Sequence, residues 1–274
     1  MRKEYHNYID CKSKKLEISK TFLGAFGMLE EKSLEEVQQM EFQQVMKELE
    51  TLGTERTKKL YLGNGAQEPL FGVATGAMKP MAKAIKRNQP LAEELYATSN
   101  YDAMYFAGVI ADPEAMTEED FDRWIEAAYF YMLSDYVVAV TLSEAPIAQQ
   151  VADRWIESGE ELKRSAGWST YCWLLGNRKD EEFEVAKIHR LLDLVKMTIH
   201  SAPPRAQSSM NNFVYTVAIS FLPLHEKAIE TAREIGQIEM ERPGKKPAVL
   251  DAIASIEKWM SRGKLGFKRR YVRC

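Results

Sequence analysis

Cysteine and histidine are scarce in this chain of 274 residues, and no stretch alternates apolar and polar positions for long enough to predict a strand. The three cysteines, Cys11, Cys172 and Cys274, are odd in number and widely scattered, which argues against a disulfide framework and for a reducing cytoplasm. None stands at zinc spacing, and His6, His189, His200 and His225 are too dispersed to form a metal site. The N-terminal sequence MRKEYHNYIDCKSKKLEISK has no apolar run of signal-peptide type. Gly63-Asn64-Gly65 and Gly72-Val73-Ala74-Thr75-Gly76 suit turns, but neither has the lysine and hydroxyl of a phosphate loop, so no cofactor is expected. A net charge of −3 supplies no bulk attraction to nucleic acid, and any such partner needs a local basic surface.

Long hydrophobic runs are lacking too. The most apolar stretch, Ala127 to Ser143 (AAYFYMLSDYVVAVTLS), is slightly short for a membrane span and carries Asp135 near its centre, where a charge is expensive in lipid. It reads as core. A lone carboxylate in such a setting is paired, caps a helix or is kept for chemistry, because burying it unpartnered costs several kcal/mol or forces its pKa up. With 45% hydrophobic and 28% charged residues, the chain has material for a folded body of one or two domains.

What is present is helical periodicity. Apolar residues recur at three and four in SLEEVQQMEFQQVMKELETLG, MAKAIKRNQPLAEELYATS, TEEDFDRWIEAAYFYML, APIAQQVADRWIESG and FEVAKIHRLLDLVKMTIHSA, with Ser33, Thr117, Gly53 and Gly159 as starts and stops. Pro113, Pro146, Pro203, Pro204, Pro223, Pro243 and Pro247 punctuate the intervals. Asp122-Arg123-Trp124-Ile125-Glu126 returns as Asp153-Arg154-Trp155-Ile156-Glu157, and His189-Arg190-Leu191-Leu192-Asp193 holds a similar place later. A period of one helix pair predicts an all-α solenoid, with Trp124 and Trp155 packing between repeats. Two basic patches stand out. Lys79, Lys83, Lys86 and Arg87 have the spacing of one helix side, and Lys258, Arg262, Lys264, Lys268, Arg269, Arg270 and Arg273 form a basic tail interleaved with Phe267 and Tyr271.

The run LFGVATGAMKPMAKAIKRNQPLAEELYATSNYDAMYFAGVIADPEAMTEEDFDRWIEAAYFYMLSD, over 70–135, resembles the AlkD-type family of HEAT-like repeat DNA alkylation repair proteins. ELKRSAGWSTYCWLL is similar to a mid-chain helix of that family, and MNNFVYTVAISFLPLHEKAIETAREIG with RGKLGFKRRYVRC resembles one of its subgroups. The likeness spans about 33–274, a single repeat domain with a basic tail, and leaves 1–32 as an N-terminal extension.

The resemblance implies a curved array of helix pairs that holds duplex DNA in a concave basic face and excises N3- or N7-alkylated purines without flipping the base. The family's Trp-x-x-x-Asp motif falls on Tyr131 and Asp135, which makes Asp135 the implied catalytic residue. A carboxylate there would stabilise the oxocarbenium sugar and place a water, while Tyr131 offers a cation–π surface to the alkylated base. A further family tryptophan falls on Asn211, Asn212 or Phe213, so that wall is altered. Arg164 matches an arginine that meets the DNA backbone, and Trp168 is placed to face the groove. Lys79, Lys83, Asn212, Phe213, Lys268, Arg269 and Arg270 complete the implied DNA-binding set.

The residues also admit plainer readings. Ser134-Asp135 could cap a helix beginning at Tyr136, and Tyr129, Phe130, Tyr131 and Tyr136 could be an aromatic core stripe. Three functions therefore stand: a glycosylase for alkylated purines, a non-catalytic binder of damaged or distorted DNA, and a helical scaffold for another protein. The expected partner is double-stranded DNA, alkylated or distorted, bound by a cytoplasmic monomer that joins the nucleoid on DNA and has no membrane partner. In the DNA readings, Lys79, Lys83, Arg164 and part of the tail converge on one concave surface.

Overall fold

The structure is a computed structural model that describes residues 34–242 and 244–271, with side chains from residue 41 onward. The expected extension over 1–32, the Ser33 cap and Arg273 lie outside the described residues.

Helices dominate, and several start where a side chain accepts from their free N–H groups. After α1 (Leu34–Leu52), Thr54 caps α2 (Glu55–Gly63) by accepting from the Thr57 N–H. Next come α3 (Lys79–Ile85), α4 (Gln89–Ala97), capped by Asn88, and α5 (Tyr101–Ile110), capped by Asn100. Thr117, the start the sequence predicts, closes a reciprocal capping box with Asp120 on α6 (Glu118–Ala127). The helical run α7 joins Tyr131–Leu133, a π turn over Ser134–Val138, and Ala139–Glu144. It is followed by α8 (Ala148–Ile156), α9 (Glu161–Leu175), α10 (Val185–Thr198) and α11 (Pro204–Ser220). The chain closes with α12 (His225–Ile235), a hairpin of β1 (Ile238–Arg242) and β2 (Lys245–Leu250), and α13 (Ala252–Met260), capped by Asp251.

These helices stack as pairs, α4 with α5, α8 with α9 and α11 with α12, while α9 packs on both α7 and α11. This is the all-α, HEAT-like solenoid that the repeat implies. The repeated pentapeptide explains how the pairs hold together. Glu93 on α4 accepts Arg123 Nη2 at 2.7 Å and Trp124 Nε1 at 3.1 Å from α6. One repeat later, Asp122 on α6 accepts Arg154 Nη1 at 2.7 Å and Trp155 Nε1 at 2.8 Å from α8. Asp153 continues the ladder, taking Lys187 Nζ at 2.6 Å and the Tyr171 hydroxyl. Both tryptophans are buried, as expected of residues that pack between repeats.

Close approach of the helices needs glycine at two places. A Cβ on Gly108 of α5 would stand 2.5 Å from Val137 Cγ1 in the π turn, and one on Gly167 of α9 would stand 2.8 Å from the Ile156 backbone nitrogen.

Several expectations need correction. The hairpin is a strand pair the periodicity does not reveal, because only Ile238 and Met240 alternate into the core while β2 lies largely in solvent. Its Lys245 Nζ donates to the Gly63 carbonyl at 2.6 Å, linking the far end of the chain to α2. The segment from Lys79 to Thr98 is two helices, since Lys86 adopts φ 63° and Asn88 begins a new cap. The four basic residues there do not share one helix side, and Arg87 is paired with Asp112 and Glu144. Likewise α6 ends at Ala127, and α7 starts afresh after Phe130. No helix among the described residues is long and apolar enough to cross a membrane.

Candidate nucleic-acid interface

Asp135 enters the core on the π turn of α7, which packs against α9 and α5. Its side chain is only 3% exposed, and the partners it finds are specific. Arg205, in the first turn of α11, donates to Oδ2 from Nη2 at 2.7 Å and from Nε at 3.3 Å. The Ser165 hydroxyl of α9 lies 2.9 Å from Oδ1, and the neighbouring Ser134 hydroxyl donates to the same oxygen at 2.9 Å. Asp135 is therefore no N-cap, because it stands inside a helical run and its carboxylate meets side chains from three helices.

Arg205 is held on both sides. Its guanidinium carbon stacks 4.2 Å from the Tyr131 ring centroid, and its backbone N–H donates to Glu161 Oε1 at 2.7 Å. Burial opposes the charge on Arg205, yet the adjoining Asp135 carboxylate outweighs this and raises its pKa further. The sequence brings Tyr131 and Asp135 to one side of α7 as expected, but the cation over Tyr131 belongs to the protein. Nothing in the sequence singles out Arg205, since it follows Pro203-Pro204 far from the motif.

Beside this pair opens a cleft of about 110 Å³, lined by Asp135, Tyr136, Trp173, Arg205, Asn212, Tyr215, Trp259 and Arg269 among others. Trp173 Nε1 donates to the Asp135 carbonyl at 3.0 Å, which orients the ring at the cleft wall. Arg269 stacks on that ring, 4.4 Å from its centroid, so the basic tail does reach the site. Lys268 is spent differently, bonding the Leu175 carbonyl and the Asp180 carboxylate, each at 2.7 Å. Arg270 lies 5.4 Å over Tyr271. Cys172, also at the cleft, has its thiol pushed up to about 12 by burial.

Other expected contacts lie elsewhere. Trp168 and Phe213 are fully buried and pack together at 5.1 Å, so neither faces the groove: helical spacing turns both into the seam between α9 and α11. Asn212, one position along, does reach the cleft. Arg164 is partly buried, with its Nε lacking a hydrogen-bond partner among the described residues, and does not line the cleft. Lys79 and Lys83 sit on α3, also outside the cleft lining. Among the described residues, no three His, Cys, Asp or Glu side chains are placed to hold a metal ion.

A cleft combining stacked aromatics, guanidinium groups and an engaged carboxylate suits a nucleic acid better than a small metabolite. Comparison with known proteins gives the same direction. Residues 41–254 match the DNA alkylation repair enzyme family. The uncharacterized protein Lin0241 of Listeria innocua is 30% identical over 226 residues, covering 81% of this chain and 98% of that protein. The uncharacterized protein Lmo0209 of Listeria monocytogenes is 30% identical over 228 residues, covering 81% and 99% respectively. A solved structure described as "A new family of proteins related to the HEAT-like repeat DNA glycosylases with affinity for branched DNA structures" is 69% identical. It covers 85% of this chain and 99% of its own, with a TM-score of 0.83. Matched over most of its length, the chain belongs to the DNA alkylation repair enzyme family.

Proposed function

We propose that this protein is a DNA-recognition member of its family, binding branched or distorted DNA on the inner face around Arg269 and Arg205 and residing with the nucleoid when bound. Asp135 is a positioning residue that fixes Arg205. The observation that carries this reading is the closed set of partners on Asp135. With Arg205 and two serine hydroxyls on its oxygens, the carboxylate is neither free to face an oxocarbenium sugar nor open to a water. Tyr131, which would cradle a cationic base, already stacks on Arg205. The affinity for branched DNA of a 69% identical protein supports the choice of ligand.

Excision of N3- or N7-alkylated purines is the second reading, and one observation favours it: Asp135 does stand at the cleft, one helical turn from Tyr131. Excision would require DNA to draw Arg205 onto a phosphate and free the carboxylate.

One experiment separates the two. Affinity for a four-way junction and for a matched linear duplex is measured across salt, while release of methylated purines is followed for wild type and Asp135→Asn. Tighter junction binding, a steep loss of affinity with salt and no base release is the expected result. Release that Asp135→Asn abolishes would overturn the proposal in favour of the glycosylase.

A further inference from the structure

Resting on the branched-DNA reading, we infer that the cleft beside Trp173 receives one unpaired nucleotide from the branch point, its base between the aromatic walls and its phosphate on Arg269. The cleft is too small for a base pair, and its volume of about 110 Å³ suits a single base ring system. Trp173 and Tyr136 meet edge to face at 6.1 Å, Trp259 stacks with Phe267 at 6.5 Å, and with Tyr215 these make five aromatic side chains lining the space. Faces of this kind take any base, because every base presents a π surface.

Two polar groups stand ready for the rest of the nucleotide. The Asn212 side-chain amide offers a donor and an acceptor, and has no hydrogen-bond partner among the described residues, which suits a base edge. Arg269 has no carboxylate partner among the described residues, yet it is well fixed. Its guanidinium lies on Trp173, its backbone N–H donates to the Gly176 carbonyl at 2.7 Å, and its backbone carbonyl accepts Asn177 Nδ2 at 2.9 Å. A held, uncompensated guanidinium at the mouth of an aromatic cleft is suited to a phosphate. Intact duplex would have to unpair and unstack a base to fill the cleft. A branch point supplies such a nucleotide at lower cost, so the cleft itself would select branched DNA.

The test compares a fully paired four-way junction with the same junction carrying one unpaired 2-aminopurine nucleotide at the branch. Wild type is expected to bind the second about tenfold more tightly, as one base stacking on an aromatic wall provides. The 2-aminopurine emission should fall on binding, and Asn212→Ala should move the affinity ratio toward one. Because the emission change is read on wild type, it stands even if the variant folds poorly. Equal affinities with unchanged emission would overturn the nucleotide cleft while leaving junction binding intact. Failure to bind either junction would remove the branched-DNA reading, and this inference with it.

Discussion

Replacing Arg205 by alanine removes the strongest partner of a carboxylate that is 3% exposed and leaves that charge in the core. Taking one member from a buried ion pair costs about 3–5 kcal/mol, mostly through the desolvated charge left behind. Ser165 and Ser134 still donate to Asp135, which places the expectation at the lower end, about 3 kcal/mol. Loss of the guanidinium stack on Tyr131 adds roughly 0.5–1 kcal/mol. For a chain of this size the sum corresponds to a fall in melting temperature on the order of 10 °C. Scanning calorimetry of Arg205→Ala, Arg205→Met, Asp135→Leu and a double variant carrying Asp135→Leu with Arg205→Met measures it. An apolar pair of similar volume should recover most of the loss, so the double variant is expected to melt above Arg205→Ala. A drop of less than about 2 °C in Arg205→Ala, or effects that simply add in the double variant, would refute the claim that the pair is a coupled unit.

Gly167→Ala places a methyl 2.8 Å from the Ile156 backbone nitrogen, and the resulting displacement of α8 should cost about 1–3 kcal/mol of unfolding free energy, read from denaturant titration, despite alanine's better helix propensity. The Ala254 N–H and the Gln237 amide hold the Asp251 carboxyl below its usual value. Its contribution is therefore full above the unfolded-state pKa and lost as pH falls through the lower folded value. Asp251→Asn should flatten this part of the acid limb of stability, below about pH 4, in urea titrations at stepped pH. The Cys172 thiol, pushed up to about 12, holds only about one part in ten thousand as thiolate at pH 8. Mass spectrometry should find it unmodified by iodoacetamide in the folded protein and alkylated in guanidinium.

Much of the architecture is legible in the sequence because helix pairs repeat a local signal. Asp122-Arg123-Trp124 and Asp153-Arg154-Trp155 announce both the period and the contact, and Thr117 announces a cap. The hairpin is not legible, since a strand with two buried positions carries too short an alternation to stand out. Asp135 draws notice by its isolation in an apolar run, but its partner does not. Arg205 becomes adjacent to Asp135 only when α11 packs on α9, and a contact across that separation leaves no spacing to read. Trp168 and Phe213 fail as groove residues for a related reason: resemblance places them near the site, and the rotation of each helix decides which face they occupy.

The ladder of Glu93, Asp122 and Asp153 has a consequence for how the array comes apart. Glu93 and Asp122 take their ligands from the next repeat, and Asp153 takes Lys187 from the next helix and Tyr171 from its own pair, so a repeat that melts strips its neighbour of an ion pair and of side-chain hydrogen bonds together. Nearest-neighbour coupling of that kind penalises a boundary between folded and unfolded repeats. The middle of the stack is bound to the pairs on both sides, and opening therefore begins at the ends, leaving the pairs that carry Asp135 and Trp173 as the last to lose their shape.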